Sequence, residues 1–396
     1  MTSRRQKDVP PFNPDMLRWA RLWRGRTPEE AAKKLPGKSP DDILSWENKV
    51  GAPTVRQARI LAEFYDRHFL EFFLPSPPDV PGPSAIPDFR MYAGAPPPPD
   101  GWELRNIRLW AETQRVNALE LCDELEEQVP EIPIDLFSTQ TNDPEQVASR
   151  ARAAIRFSFQ DQMGLDYSKP EALPSVLRDK FENFGILTLR QNDLRGFGIR
   201  GICIASFPLP VVMFGNEAPS AQAFTFGHEL GHILLRESGI TGFRKSAYDQ
   251  QPIEKWCDRF AGAFLMPSEH VAEVVGARPS RPAGKIEDSN LAVAAAKFRV
   301  SPHAMLIRLV ALGYVESSFY WDVKKPEFDA IDEKYRRFGR AKVYGARYKN
   351  ALGNFYTGLV LEAWSSGRIT NHNAAEYMGI KNLAHLAPMR EQYYSR

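Results

Sequence analysis

The sequence predicts a mostly helical α+β fold: a small N-terminal helical bundle, a central core in which a small sheet precedes a buried helix, and a helical C-terminal region. Three observations carry this. Residues 75–99 hold ten prolines in 25 positions, a semi-rigid connector that no helix can cross and the clearest boundary in the chain. Two short apolar runs, FGILTL at 184–189 and LPVVMFG at 209–215, read as strands. Most of the remainder reads as helical, with apolar residues at three-four spacing and no internal repeat.

At 396 residues, 43% hydrophobic and 25% charged, the chain has ordinary globular chemistry and room for two or three compact units. A net charge of +2 and a pI near 8.3 supply no protein-wide field for a polyanion, so nucleic-acid contact would need a local patch. Cys122, Cys203 and Cys257 are far apart and form no C-x-x-C pair. That argues against a disulfide framework or a cysteine-rich zinc module and fits a reducing cytoplasm. The opening MTSRRQKDVPPFNPD is basic but runs into prolines rather than an apolar segment, and no run of 18 apolar residues occurs. Secretion and a membrane span are therefore not expected.

Residues 14–75 read as the bundle. In TPEEAAKKL, Thr27 is the N-cap, Pro28 the first helical residue and Glu30 the third member of a capping box; KSPDDILSWE repeats the pattern with Ser39, Pro40 and Asp42. Two short helices joined by a glycine-containing turn make a helix-turn-helix shape. With SWENKVGAPTVRQARILAEFY, in which Trp46, Glu47, Pro53, Thr54, Leu61 and Ala62 stand out, this part resembles the Xre/Cro-type DNA-binding domain. The resemblance implies an operator-binding fold for residues 1–78. A recognition helix turns its N-terminal residues toward bases and phosphates, and here those are Asp41 and Asp42, which a DNA backbone repels. Lys38, Arg18, Arg21, Arg24 and Arg26 could still touch phosphates, so DNA binding and protein docking stand as alternatives.

Beyond a linker at 79–100, a domain at 101–317 opens with Leu104, Ile107, Ala111, Ala118, Leu121 and Leu125 at three-four spacing, a long amphipathic helix broken by Gln114. Asp143, Pro144 and Glu145 begin a second helix over 144–160. The two strands then lead into FTFGHELGHILL at 224–235. Residues i and i+4 share one face of a helix, so His228 and His232 can both reach one Zn²⁺, with Glu229 beside them as a general base. The chain has only seven histidines, and two fall at this offset inside an apolar helix with Phe226, Leu230, Ile233 and Leu234. H-E-x-x-H also arises by chance, and the competing reading is a pair of core histidines.

A catalytic zinc needs a third protein ligand. PIEKWCDRFAGAFLMP at 252–267 reads as a helix whose packed face includes Trp256, Phe260, Ala263 and Phe264. Glu254 and Asp258, four apart, continue an apolar stripe and need a partner for their charge. Glu254 has the length to reach a metal, and Asp258 is better placed to orient a histidine; solvated acids at the helix edge are the alternative. Asp249, Glu237 and His270 are weaker ligand candidates.

AFTFGHELGHILL, IEKWCDRFAGAFLMP and KFRVSPHAMLIRLVALGYV at 297–315, preceded by FENFGILTL and PVVMFGNE, resemble successive blocks of the ImmA/IrrE metallopeptidases. The resemblance implies a zincin-like metallopeptidase core with Zn²⁺ on His228, His232 and Glu254 and with Glu229 as the catalytic base. It implies a gluzincin-type endopeptidase that cleaves a repressor or other partner protein and so controls a stress, prophage or mobile-element response. Long relatives with this architecture also look like antitoxin-type regulators that bind DNA or a cognate toxin. The family usually carries asparagine where this chain has Asp258. Tyr248, Arg244, His270 and His303 are candidates for a second electrophile.

The last region, 318–396, begins with a different signal. KYRRFGRAKVYGARYK at 334–349 has seven basic residues, four aromatics and no acid, which suits nucleic-acid contact, docking of an acidic protein, or a merely solvated basic face. Two helices separated near Ser365, Ser366 and Gly367 follow, resembling the helical tail of long family members, and His372 and His385 within them are not expected to be ligands.

Overall fold

A computed structural model describes residues 12–65, 67–78, 102–192, 194–242, 251–334 and 344–394. The linker expected at 79–100, the candidates Arg244, Tyr248 and Asp249, and residues 335–343 of the basic segment lie outside the described residues. The chain divides into two compact units, and the division falls after Leu109, within the continuous helix Trp102–Glu124.

The first unit contains α1 (Pro14–Trp23), α2 (Pro28–Lys33), α3 (Pro40–Glu47) and α4 (Val55–Tyr65). Both expected capping boxes form, Thr27 with Glu30 and Ser39 with Asp42. Leu17, Ala20, Ile43, Trp46, Ala58, Leu61 and Phe72 fill the core. At its edge Arg21 donates to both oxygens of Glu47, at 2.6 and 2.8 Å, a buried bidentate pair that ties α1 to α3. Asp42 is spent locally: it accepts from the Ser39 backbone and pairs with Lys38 at 2.9 Å, leaving Asp41 as the exposed acid at the start of α3.

The second unit continues α5 (Trp102–Glu124) and adds α6 (Pro144–Ala154), α7 (Phe159–Met163) and α8 (Ala172–Asn183). The single helix expected over 144–160 is two. Arg156 adopts the left-handed conformation at φ 53°, and Ser158 starts a new capping box with Asp161. One mixed sheet follows, β1 (Leu187–Arg190), β2 (Ile199–Ile204), β3 (Val211–Phe214) and β4 (Gly239–Gly242), in the order β1-β3-β2-β4. β1 runs parallel to β3, while β2 is antiparallel to both β3 and β4. The expected strands correspond to β1 and β3; β2 and β4 were not read from the sequence.

Helix α9 (Pro219–Leu235) crosses the sheet, and α10 (Pro252–Leu265) packs along it. Their closeness has a sequence cause. A Cβ on Gly227 would stand 3.3 Å from Ala261, and one on Gly231 would stand 3.2 Å from the Cys257 sulfur, so two small residues on each helix let the backbones approach. The far end of α10 is held as firmly. Its terminal carbonyls accept from buried side chains: Phe264 from Arg152 at 2.7 Å, Leu265 from Gln162 at 3.0 Å and Met266 from Arg308 at 2.9 Å. Two guanidinium groups thus sit at the negative end of the helix dipole.

The chain continues with α11 (Ser268–Val275), α12 (Asp288–Phe298), α13 (Pro302–Ala311), α14 (Lys325–Lys334), α15 (Tyr344–Ser365), α16 (Asn371–Tyr377) and α17 (Leu386–Tyr394). α15 breaks at Gly353, φ 84°, where any side chain would collide with Glu182 of α8. The buried Glu182 carboxylate accepts the amides of Asn354 and Phe355 at 2.7 and 2.9 Å, capping the helix that resumes beyond the break. This places α15 against β1 and so covers an edge of the sheet. The described residues are mostly helical with this one small sheet, the α+β class expected. Among them no helix is long and apolar enough to cross a membrane.

Candidate metal centre

The two glycine-lined helices bring the predicted residues together. On α9, His228 and His232 present Nε2 atoms 3.2 Å apart. From the first turn of α10, Glu254 reaches both: Oε1 lies 3.0 Å from His232 Nε2 and Oε2 lies 3.4 Å from His228 Nε2. Tetrahedral zinc with ligand bonds of 2.0–2.1 Å holds its donor atoms about 3.3 Å apart. Two imidazoles and a carboxylate at this spacing, all buried, fit such an ion.

Cys257, which the absence of a C-x-x-C pair set aside, lies here too. Donor atoms of His228, His232 and Cys257 fall within 4.8 Å of one another. The carboxylate is nonetheless the better third donor, because it is closer and already charged. Burial pushes the Cys257 thiol well above its ordinary range, with the charges of Glu254 and Asp258 adding to the effect.

One turn further along α10, Asp258 Oδ1 accepts from His228 Nδ1 at 3.0 Å. That bond holds the ring so that Nε2 points toward Glu254 and His232. The charges are interlocked. Burial would depress the His228 pKa, but the Glu254 charge and the Asp258 hydrogen bond outweigh it and carry it to about 10. Burial keeps His232 low, with the His228 charge adding and Glu254 opposing. Glu254 is desolvated, yet its attraction to His228 and its bonds to both imidazoles hold it down at about 2. A proton on His228 therefore occupies the centre where a cation would bind.

Glu229, next to His228 on the same helix, is packed against the sheet. Burial pushes its carboxyl up to about 8; His228 and the Thr241 hydroxyl oppose the rise, while Glu254 and Glu217 add to it. Neither of its oxygens has a hydrogen-bond partner of ordinary geometry. Its seat is made by two strands. Gly201 of β2 pairs with Thr241 of β4, and a Cβ on Gly201 would stand 2.8 Å from Glu229 Cδ and 2.8 Å from Thr225 Cγ2. Thr225, one turn earlier on α9, donates to the buried Glu217 at 3.1 Å, and Arg200 lies 3.7 Å from the same carboxylate. None of Gly201, Thr241, Thr225, Glu217 or Arg200 was identified from the sequence. The signal available was the glycine inside IRGICI, which marks a close approach once that run is read as a strand.

The weaker candidates stand elsewhere. Glu237 is exposed beyond the end of α9. His270 stacks on Phe159 and bonds Glu273 at 3.0 Å, and His303 bonds the Tyr320 hydroxyl at 2.9 Å.

Residues 191–310 match the family model for the IrrE N-terminal-like domain, Peptidase M78. The matched span, less than a third of the chain, contains β2 through β4, both metal-centre helices and most of α13. The match points to a metallopeptidase or a regulator built on that domain. No family match covers the N-terminal bundle. A search of curated proteins found no match.

Proposed function

We propose that the chain is a zinc-dependent endopeptidase that cleaves a repressor or other partner protein to control a stress, prophage or mobile-element response. The observation that carries the reading is the convergence of His228, His232 and Glu254 at zinc-like spacing beside a buried carboxyl group that takes no part in that cluster. His228, His232 and Glu254 would hold the ion. Bound there, zinc supplies Lewis-acid chemistry, making a water more acidic and polarising a peptide carbonyl.

The chain's own residues supply the rest. Glu229 holds or releases a proton at its carboxyl, and a pKa moved toward neutrality suits a group that must take a proton from water and return it to a leaving amine. Asp258 keeps His228 oriented through Nδ1. The closely packed α9 and α10 fix the donors on rigid elements and exclude bulk water.

The test is capture. Glu229→Gln should keep zinc and retain a bound protein that the parent protein depletes from cells, and the depleted protein should be cut by purified parent and not by the variant. Absence of zinc even after reconstitution, or a partner that stays intact, sinks the reading. A DNA- or toxin-binding antitoxin-type regulator is the second reading. The bundle favours its protein-docking form, because Asp41, Leu44 and Val50 are exposed on and just beyond α3.

A further inference from the structure

A cavity of about 670 Å³ opens between α6, α7 and the start of α11, lined by none of the metal-centre residues. Its size lies in the range of small-molecule sites. The buried part of its lining is Phe157, Ala263 and Arg152; Arg156, Ser149 and Ser268 are exposed around it.

Arg152 is the anomaly. It is only 6% exposed and forms no ion pair among the described residues. Nη1 donates to Gln162 and to the Phe264 carbonyl, the guanidinium lies 4.6 Å over the Phe157 ring, and Nη2, closed off from solvent, has no hydrogen-bond partner among the described residues. A buried guanidinium with an unused donor is costly unless something completes it. The cavity wall also includes the N-terminus of α11, which has no side-chain cap, so its leading amides and positive dipole end are left to external partners. Of the acids in the wall, Glu145 is paired with Arg308, and Asp161 is held by Ser158. Asp161, which the Ser158 bonds keep ionised, and Glu269 carry the remaining negative charge, set against Arg152 and Arg156.

We propose that this cavity binds a small phosphorylated molecule, its phosphate received by Arg156 and the N-terminus of α11 and balanced by the buried charge of Arg152 behind them. A guanidinium and free helix amides in one cavity suit a tetrahedral oxyanion, and Phe157 and Phe159 give the rest of the ligand apolar walls. None of these residues belongs to the metal centre.

The probe is inorganic phosphate, titrated into the full chain at constant ionic strength with chloride as the balancing anion and followed by phosphorus NMR line broadening. Saturable binding with a dissociation constant on the order of 1 mM is expected. Arg156→Gln, an exposed position, should weaken it about tenfold. Ser268→Pro, which removes a leading amide at a position where proline suits a helix start, should weaken it too. His232→Ala should bind as the parent does, which separates this site from phosphate attached to a metal. N-acetylglycine serves as the carboxylate probe. Non-saturating binding, equal binding by parent and Arg156→Gln, or dependence on Arg156 for N-acetylglycine but not for phosphate would each overturn the proposal.

Discussion

Glu254 and Asp258 sit one turn apart on α10, both touch His228, and the proposed roles make opposite demands on a zinc competition experiment. Asp258 acts on His228 through a 3.0 Å bond to Nδ1. In Asp258→Asn the side-chain carbonyl can still accept that proton, so the loss is the charge and not the bond. Removing an outer partner of a ligand histidine costs ~10 to 100-fold in affinity, and retaining the acceptor places asparagine near the lower end, about tenfold, with Asp258→Ala near the upper. Glu254→Ala deletes one of three donors and the negative charge 3.0 and 3.4 Å from the two Nε2 atoms. Its loss should exceed ~100-fold, because a ligand bond and a charge vanish together. Titration against a chromogenic chelator at neutral pH reads both. Glu254→Ala should surrender zinc to a moderate chelator, Asp258→Asn should hold it, and Cys257→Ser should resemble the parent. If Asp258→Asn releases zinc while Glu254→Ala keeps it, the ligand assignment is wrong. If Cys257→Ser releases it, the cysteine belongs to the ligand set.

Three further outcomes are expected. Zinc must displace the proton that His228, at about 10, carries throughout the neutral range, whereas His232 is already neutral. Affinity should therefore rise about tenfold per pH unit between pH 6 and 8, and calorimetry in buffers of different ionisation heat should register about one proton released. A flat profile would refute the charge assignment. Gly201→Ala should destabilise the protein by ~1–2 kcal/mol, overpacking against Glu229 and Thr225 being partly offset by the gain of replacing glycine in a strand. In a Glu229→Ala background the loss should shrink, and equal losses in both backgrounds, read by chemical unfolding, would mean that position 201 does not seat Glu229. For the bundle, Asp41→Asn should tighten low-salt duplex binding by the full chain if charge alone opposes it, with Asp42 left in place because it completes the α3 cap. Unchanged binding in a gel-shift titration would put the obstacle elsewhere.

What could be read from the sequence was local. The i, i+4 histidines, the glutamate beside them and the acids on the next helix follow from helical geometry alone, as do the caps at Thr27, Ser39 and Asp143. Features that need two distant segments were hidden. β2 was missed because Arg200 and Gly201 interrupt its apolar run, although Gly201 is there to make room for Glu229. The break between α6 and α7 was missed because Arg156, a residue with no intrinsic preference for positive φ, is bent to serve the Ser158 cap. A glycine at 353 gives no local sign of a break, and only the position of Glu182, 171 residues earlier, explains it.

The groups gathered between α9 and α10 give the strongest reason to expect a cation. Glu254 and Asp258 are both carboxylates pointed at His228, and Glu254 and the two imidazoles are buried. Burying charged groups is costly, and a core that only needed packing would place apolar residues here. A divalent ion in place of the His228 proton would set two positive charges beside these carboxylates and use both imidazole Nε2 atoms as ligands. Glu229 is then left to move a proton beside the ligands rather than to hold the ion. It follows His228 on α9 and is seated against β2 by Gly201, so the ligands on α9 and the proton-carrying group stand on one rigid helix.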